Sequence, residues 1–154
     1  MTLTLSRRAF VGAAAGSLAA AACGSPRRTP PQAMTIYRDP SCGCCEAWAG
    51  IARQAGYEVR VVDHPDMPAI KRRYGVPDRL LSCHTSVVGN YAVEGHVPLV
   101  DVRRLLKARP AQIKGIAVPG MPIGSPGMES PDGTRQKFQV MAFDGGGRVS
   151  VFRG

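Results

Sequence analysis

Met34-Thr35-Ile36-Tyr37-Arg38-Asp39-Pro40-Ser41-Cys42-Gly43-Cys44-Cys45 is the stretch on which the reading of this chain turns. Its first five residues alternate apolar and polar, the period of a half-buried strand, and Asp39-Pro40 ends the run. Three thiols within four positions follow, more than packing accounts for. Cys42 and Cys45 stand three apart, a spacing that puts two thiols on one face where a strand gives way to a helix, and Cys44 adds a third between them. Unsatisfied N–H groups and the macrodipole at a helix start favour a negative sulfur. The chemistry expected is therefore that of thiolates: nucleophile, redox couple or soft-metal ligand.

Downstream of this turn, Trp48, Ile51, Ala52 and Ala55 recur at helical spacing and Gly56 stands where a helix stops. Glu58 to Asp63 reads as a second strand. Asp66-Met67-Pro68 opens a second helix that Gly75 ends. Strand, thiol turn, helix, strand, helix is a βαβα order that calls for a parallel strand pair. Leu80 to Thr85 leads into Ser86-Val87-Val88, Gly89-Asn90 is a two-residue hairpin signal, and Tyr91 to Glu94 is the return strand. Gly95-His96-Val97-Pro98 introduces a third helix with Leu99, Val102, Leu105 and Leu106 on its inner face. The layout is that of an α/β, thioredoxin-like βαβαββα core, with the loop entering strand three set against the thiol turn. Gly115 to Gly133 is then expected to be a Gly/Pro-rich loop carrying Met121 and Met128, and loops of that length are functional or disordered. Phe138 to Phe143 and Arg148 to Phe152 close the chain as a hairpin.

Upstream, residues 1–23 read as an export address: Ser6-Arg7-Arg8-Ala9-Phe10, an Ala/Gly-rich run too short to span a bilayer, then Cys23. The twin arginines match a signal of the twin-arginine route. Ala20-Ala21-Ala22 before Cys23 fits ordinary signal peptidase cleavage or lipoprotein processing; the reading adopted is acylation of Cys23, which also removes the odd member of five cysteines. Residues 24–33 form a Pro/Arg-rich tether expected to be disordered, and 34–154 one domain. The net charge of +9 lacks the aromatic and basic interleaving of a nucleic-acid surface. A periplasmic or envelope-attached basic protein is the expectation, with no nucleic-acid partner.

Two chemistries compete for the cysteines. In a thiol–disulfide oxidoreductase Cys42 and Cys45 would be the redox pair; the absence of a proline in Ser82-Cys83-His84-Thr85, and the extra thiols Cys44 and Cys83, argue against it. In a soft-metal site Cys42, Cys44, Cys45 and Cys83 supply up to four thiolates, with Met121, Met128, His84 and His96 as further donors. Thiolate with thioether selects Cu(I), and a set this large hints at a multinuclear cluster. Duller alternatives are a plain disulfide in the cysteine turn, His96 capping the third helix, packing or disorder for Met121 and Met128, and a structural zinc site.

Asp39-Pro40-Ser41-Cys42-Gly43-Cys44-Cys45, Ser82-Cys83-His84-Thr85, Val93-Glu94-Gly95-His96-Val97-Pro98 and Gly120-Met121-Pro122 through Gly127-Met128-Glu129, in that order, resemble the CopG-type copper-resistance family from about Met34 to the end. The resemblance implies a periplasmic or membrane-attached thioredoxin-like domain that binds copper and accompanies copper and silver efflux genes. It points to copper-efflux or copper-chaperone proteins as partners.

Overall fold

The computed structural model describes residues 32–153. The expected export segment 1–23 with Cys23, and the tether apart from Gln32 and Ala33, lie outside the described residues. Eleven short elements follow one another: β1 (Ala33–Arg38), α1 (Gly43–Gln54), β2 (Glu58–Asp63), α2 (Met67–Arg73), a 3₁₀ turn (Asp78–Leu80), β3 (His84–Val88), β4 (Tyr91–Glu94), α3 (Leu99–Ala108), β5 (Gly115–Ala117), β6 (Val140–Phe143) and β7 (Val149–Arg153). β1 thus starts inside the stretch assigned above to the tether, with Ala33 paired to Glu58.

The strands form one mixed sheet in the order β2-β1-β3-β4-β5-β6-β7. β1 and β2 run parallel as the βα order demands, while β1 with β3 and β3 with β4 are antiparallel. The punctuation lies where the residues put it. Gly56 and Gly75 follow α1 and α2 at positive φ, where a Cβ would be strained, and Asp66 caps α2 by accepting from the Ala69 N–H.

The expected Gly115 to Gly133 loop is corrected by the structure. Its first residues are β5, parallel to β4 and antiparallel to β6, so the closing hairpin is welded onto the main sheet. Only Gly fits at its start: a Cβ on Gly115 would lie 2.3 Å from the Ala92 carbonyl oxygen and 2.4 Å from the Phe143 ring.

The core fills the space between sheet and helices, with Met34, Ile36, Trp48, Ala52, Val93, Val102, Leu105 and Ile116 all excluded from water. Trp48 satisfies its indole by donating Nε1–H to the Val97 carbonyl at 3.0 Å. α3 also buries Asp101, which accepts from Arg153 Nε of β7 at 2.9 and 2.8 Å. That pair fastens the last strand to a helix 52 residues earlier.

Candidate metal centre

The thiol turn is held by hydrogen bonds in which no sulfur takes part. Asp39 Oδ1 accepts from the Ser41 N–H at 2.8 Å and from its hydroxyl, the Cys42 N–H donates to the Asp39 carbonyl at 3.0 Å, and Arg38 reaches the Cys42 carbonyl at 3.1 Å. The bonds from Ser41 hold the Asp39 carboxyl below its usual range. Cys42 occupies the N-cap of α1 with no side-chain cap bond, which leaves its sulfur free for other partners.

Cys42 and Cys45 are joined as a disulfide in this structure. Among the described residues the free thiols are Cys44 and Cys83. The reading of four simultaneous thiolates is thus corrected for the oxidised state: two of the four sulfurs are already spent on one another. All four still lie within 4.8 Å of one another, with Cys44 Sγ 3.6 Å from Cys42 Sγ and 3.9 Å from Cys83 Sγ. Sulfurs from positions 42–45 and from position 83 therefore share one place.

Cys83 sits just before β3 between two imidazoles, at 3.0 Å from His96 Nε2 and 3.3 Å from His84 Nδ1. His96 Nδ1 faces the Pro126 carbonyl at 2.7 Å, so Nδ1 carries the proton and donates it there, and the Nε2 lone pair points at the sulfur. Burial, with Cys44 beside it, pushes the Cys83 thiol up to about 12. Its S–H is retained at neutral pH and is available to His96 Nε2. His84 is excluded from water, and burial together with His96 and Lys71 holds its imidazole well below the usual range. His96 is lowered as well, by burial, against the opposing pull of the Pro126 carbonyl and Glu129. Both rings are therefore neutral donors. His84 Nε2 is buried without a hydrogen-bond partner among the described residues, and the ring packs 5.0 Å from Trp48 and 5.1 Å from His96.

The alternative that His96 caps α3 is excluded by its position: Pro98 holds the N-cap, and His96 is fully buried against Cys83. The Gly/Pro loop closes over this end of the molecule. Gly120 N–H bonds the Leu81 carbonyl at 2.9 Å, and the Ser82 hydroxyl donates to the Gly120 carbonyl. Gly127, at φ +82, comes so close to α1 that a Cβ there would stand 2.9 Å from Trp48 N. Met121 follows the first of these anchors with its side chain about half exposed, 51%. Met128 follows the second, half-buried, its carbonyl accepting from Gly124 N–H at 2.7 Å.

With the Cys42–Cys45 bond reduced, the donor set would be four sulfurs and two neutral imidazole nitrogens with no carboxylate among them, which fits a soft or borderline cation and not Mg²⁺ or Ca²⁺. Sequence reasoning missed Glu94, whose carboxylate accepts from Lys71, Ser82 and Thr85 behind the cluster. It also missed the contact of Trp48 with His84. An acidic residue ending a short strand carries no mark of burial.

Fold and site together define a small α/β protein with four clustered cysteine sulfurs backed by two buried histidines. Two solved structures of a copper resistance protein CopG are similar to it. One matches at 43% identity and TM-score 0.73 over 79% of this chain and 95% of the other. The second form matches at 42% identity and TM-score 0.73 over 80% and 99%. The family described as "Protein of unknown function, DUF411" matches residues 80–128, which span Cys83, His84, His96, Met121 and Met128. No curated protein sequence matches this chain. The chain belongs to the CopG-type copper-resistance family.

Proposed function

We propose that this protein binds Cu(I), or silver, in the cell envelope in the service of copper resistance, through Cys42, Cys44, Cys45 and Cys83 in their reduced state. His96 and His84 are the nitrogen donors, and Met121 and Met128 are supporting thioethers carried by the loop. The observation that carries this reading is the convergence of four sulfurs within 4.8 Å from two distant places in the chain. A set of that size has room for a multinuclear cluster with bridging sulfurs. The first four strands and three helices, in the order β2-β1-β3-β4, support a thioredoxin-like core. The CopG structures are of a copper resistance protein, which supports copper as the cargo.

Binding then requires that the Cys42–Cys45 bond be reduced and that Cys83 give up its proton, so the site is gated by redox state and copper uptake releases protons. On this reading the chain is exported by the twin-arginine route, processed before Cys23, anchored there by lipid, and works in the periplasm beside efflux or chaperone proteins. The test is copper stoichiometry with proton release, measured anaerobically on reduced and on oxidised protein. Tight uptake by the reduced form alone is expected, and equal uptake by both forms overturns the reading.

A second reading, a thiol–disulfide or copper oxidoreductase, is favoured by one observation: Cys42 and Cys45 are joined as a disulfide at the N-terminus of α1. Insulin-reducing activity that survives Cys44→Ser and Cys83→Ser but not Cys42→Ser would select it.

A further inference from the structure

We propose that Glu94 is a positioning residue for this centre: its buried carboxylate grips the chain on both sides of the Cys83-His84 dipeptide and so fixes the Cys83 sulfur against Cys44 and His96. Glu94 Oε1 accepts from the Ser82 N–H at 2.7 Å, on one side of the dipeptide, and Oε2 accepts from the Thr85 hydroxyl at 2.7 Å, on the other. Thr85 and Glu94 face each other across β3 and β4, so the second bond follows from the register of the sheet.

The next two residues complete the grip. Gly95 N–H donates to the His84 carbonyl at 2.9 Å, and His96 Nε2 meets Cys83 Sγ at 3.0 Å. Three consecutive residues, Glu94 to His96, thus hold four consecutive residues, Ser82 to Thr85, one contact each. The two segments lie so close that a Cβ on Gly95 would stand 2.2 Å from Ser82 Oγ and 2.8 Å from the Val118 carbonyl oxygen.

A fully buried carboxylate is costly, and Lys71 Nζ, also buried, is drawn in from α2 to 2.5 Å to offset it. As a stability device this is poor, because an apolar pair of the same shape does as well or better. What an apolar pair cannot do is accept hydrogen bonds from both sides of Cys83. Burial raises the Glu94 carboxyl, while Lys71, Thr85 and Ser82 oppose the rise by bonding its charged form. The carboxylate is held by the very groups it positions. Ser82 passes the constraint on, since its hydroxyl binds the Gly120 carbonyl of the loop that carries Met121. The inference rests on the copper reading only for its affinity measurement, because the spacing of Cys44 and Cys83 can be read without metal.

Two double variants of the full chain separate the grip from the charge. Glu94→Gln with Lys71→Met keeps an acceptor for Ser82 and a partner for the Thr85 hydroxyl while removing both charges; Glu94→Leu with Lys71→Met removes both grips. The readouts are the rate at which diamide closes a Cys44–Cys83 disulfide, assigned by peptide mass, and Cu(I) affinity of the reduced protein by chelator competition. The Gln/Met variant is expected to stay within about twofold of the parent in both. The Leu/Met variant is expected to close about tenfold more slowly, as misplacement of reacting atoms costs of that order or more. Its affinity is expected to fall about tenfold, as for loss of a group supporting a ligand. Equal closure rates in the two double variants overturn the proposal. Should the Leu/Met protein fail to fold by circular dichroism, Thr85→Val removes one grip from a strand position that tolerates it, with about threefold slower closure expected; an unchanged rate overturns the proposal equally. A parent that binds no Cu(I) refutes the copper reading, and the closure rates still decide the role of Glu94.

Discussion

His96 Nε2 lies 3.0 Å from Cys83 Sγ with its lone pair turned toward the sulfur, because Nδ1 spends its proton on the Pro126 carbonyl. One ring therefore joins the loop to the distant cysteine and offers that cysteine a proton acceptor. Replacing His96 by Phe keeps the buried volume and removes both functions. Cu(I) affinity, measured by competition with a chromogenic chelator, is expected to fall by at least about 10- to 100-fold, the range for losing a group that only supports a ligand. Unchanged affinity would mean that the nitrogen contributes nothing to the centre.

Cys83→Ser separates the two functional readings. Cys83 is the one sulfur of the cluster not supplied by the turn at 42–45, and Cys44 is 3.9 Å from it. If the centre is a shared metal site, the serine variant is expected to lose tight Cu(I) binding and to hold fewer coppers per chain. If the Cys42–Cys45 disulfide is the working group, the variant is expected to reduce insulin as the parent does. Metal analysis beside the insulin assay distinguishes the outcomes.

Much of this site was legible because thiols at such a spacing have no packing explanation, so Cys42, Cys44 and Cys45 marked the site and Cys83 joined them through the fold. The glycines were legible for a similar reason: Gly56 and Gly75 after helices, and Gly89 at φ +57 in the hairpin, meet a local steric demand. What could not be read was non-local. β5 is three residues long, and its partners β4 and β6 make it a strand. Asp101 looks solvent-facing until Arg153, 52 residues on, is placed beside it. Glu94 is hidden for the same kind of reason, because its cation comes from α2 and its grips from the far side of a hairpin. The redox state of Cys42 and Cys45 is not encoded in their spacing, which suits a disulfide and a ligand pair alike.

Gly127→Ala tests how the loop is seated. The position has φ +82, and a Cβ would meet Trp48 N at 2.9 Å and Trp48 Cα at 3.3 Å. Backbone strain and this close approach both oppose the methyl group, and a cost of about 1–3 kcal/mol is expected in urea unfolding. The adjoining Pro126 carbonyl is the His96 anchor, so Cu(I) affinity is expected to fall with it. A variant as stable as the parent, with the same affinity, would show that the loop does not need this contact.

Acid should weaken the metal-free fold through His84, and the sign follows from its burial. In the unfolded chain this imidazole takes up a proton near 6.5, whereas burial, His96 and Lys71 hold it neutral to well below that value when folded. Between the two values the unfolded state binds the extra proton. Stability supplied by the neutral ring is therefore complete above about 6.5 and is lost as pH falls toward the folded value, at about 1.4 kcal/mol per pH unit for one such group. His96, lowered in the same direction, adds to the slope. His84→Phe removes the titrating group while retaining an aromatic ring against Trp48, so its urea midpoints between pH 4 and 7 are expected to fall less steeply than those of the parent. Parallel curves for parent and variant would show that His84 is not the source of acid sensitivity.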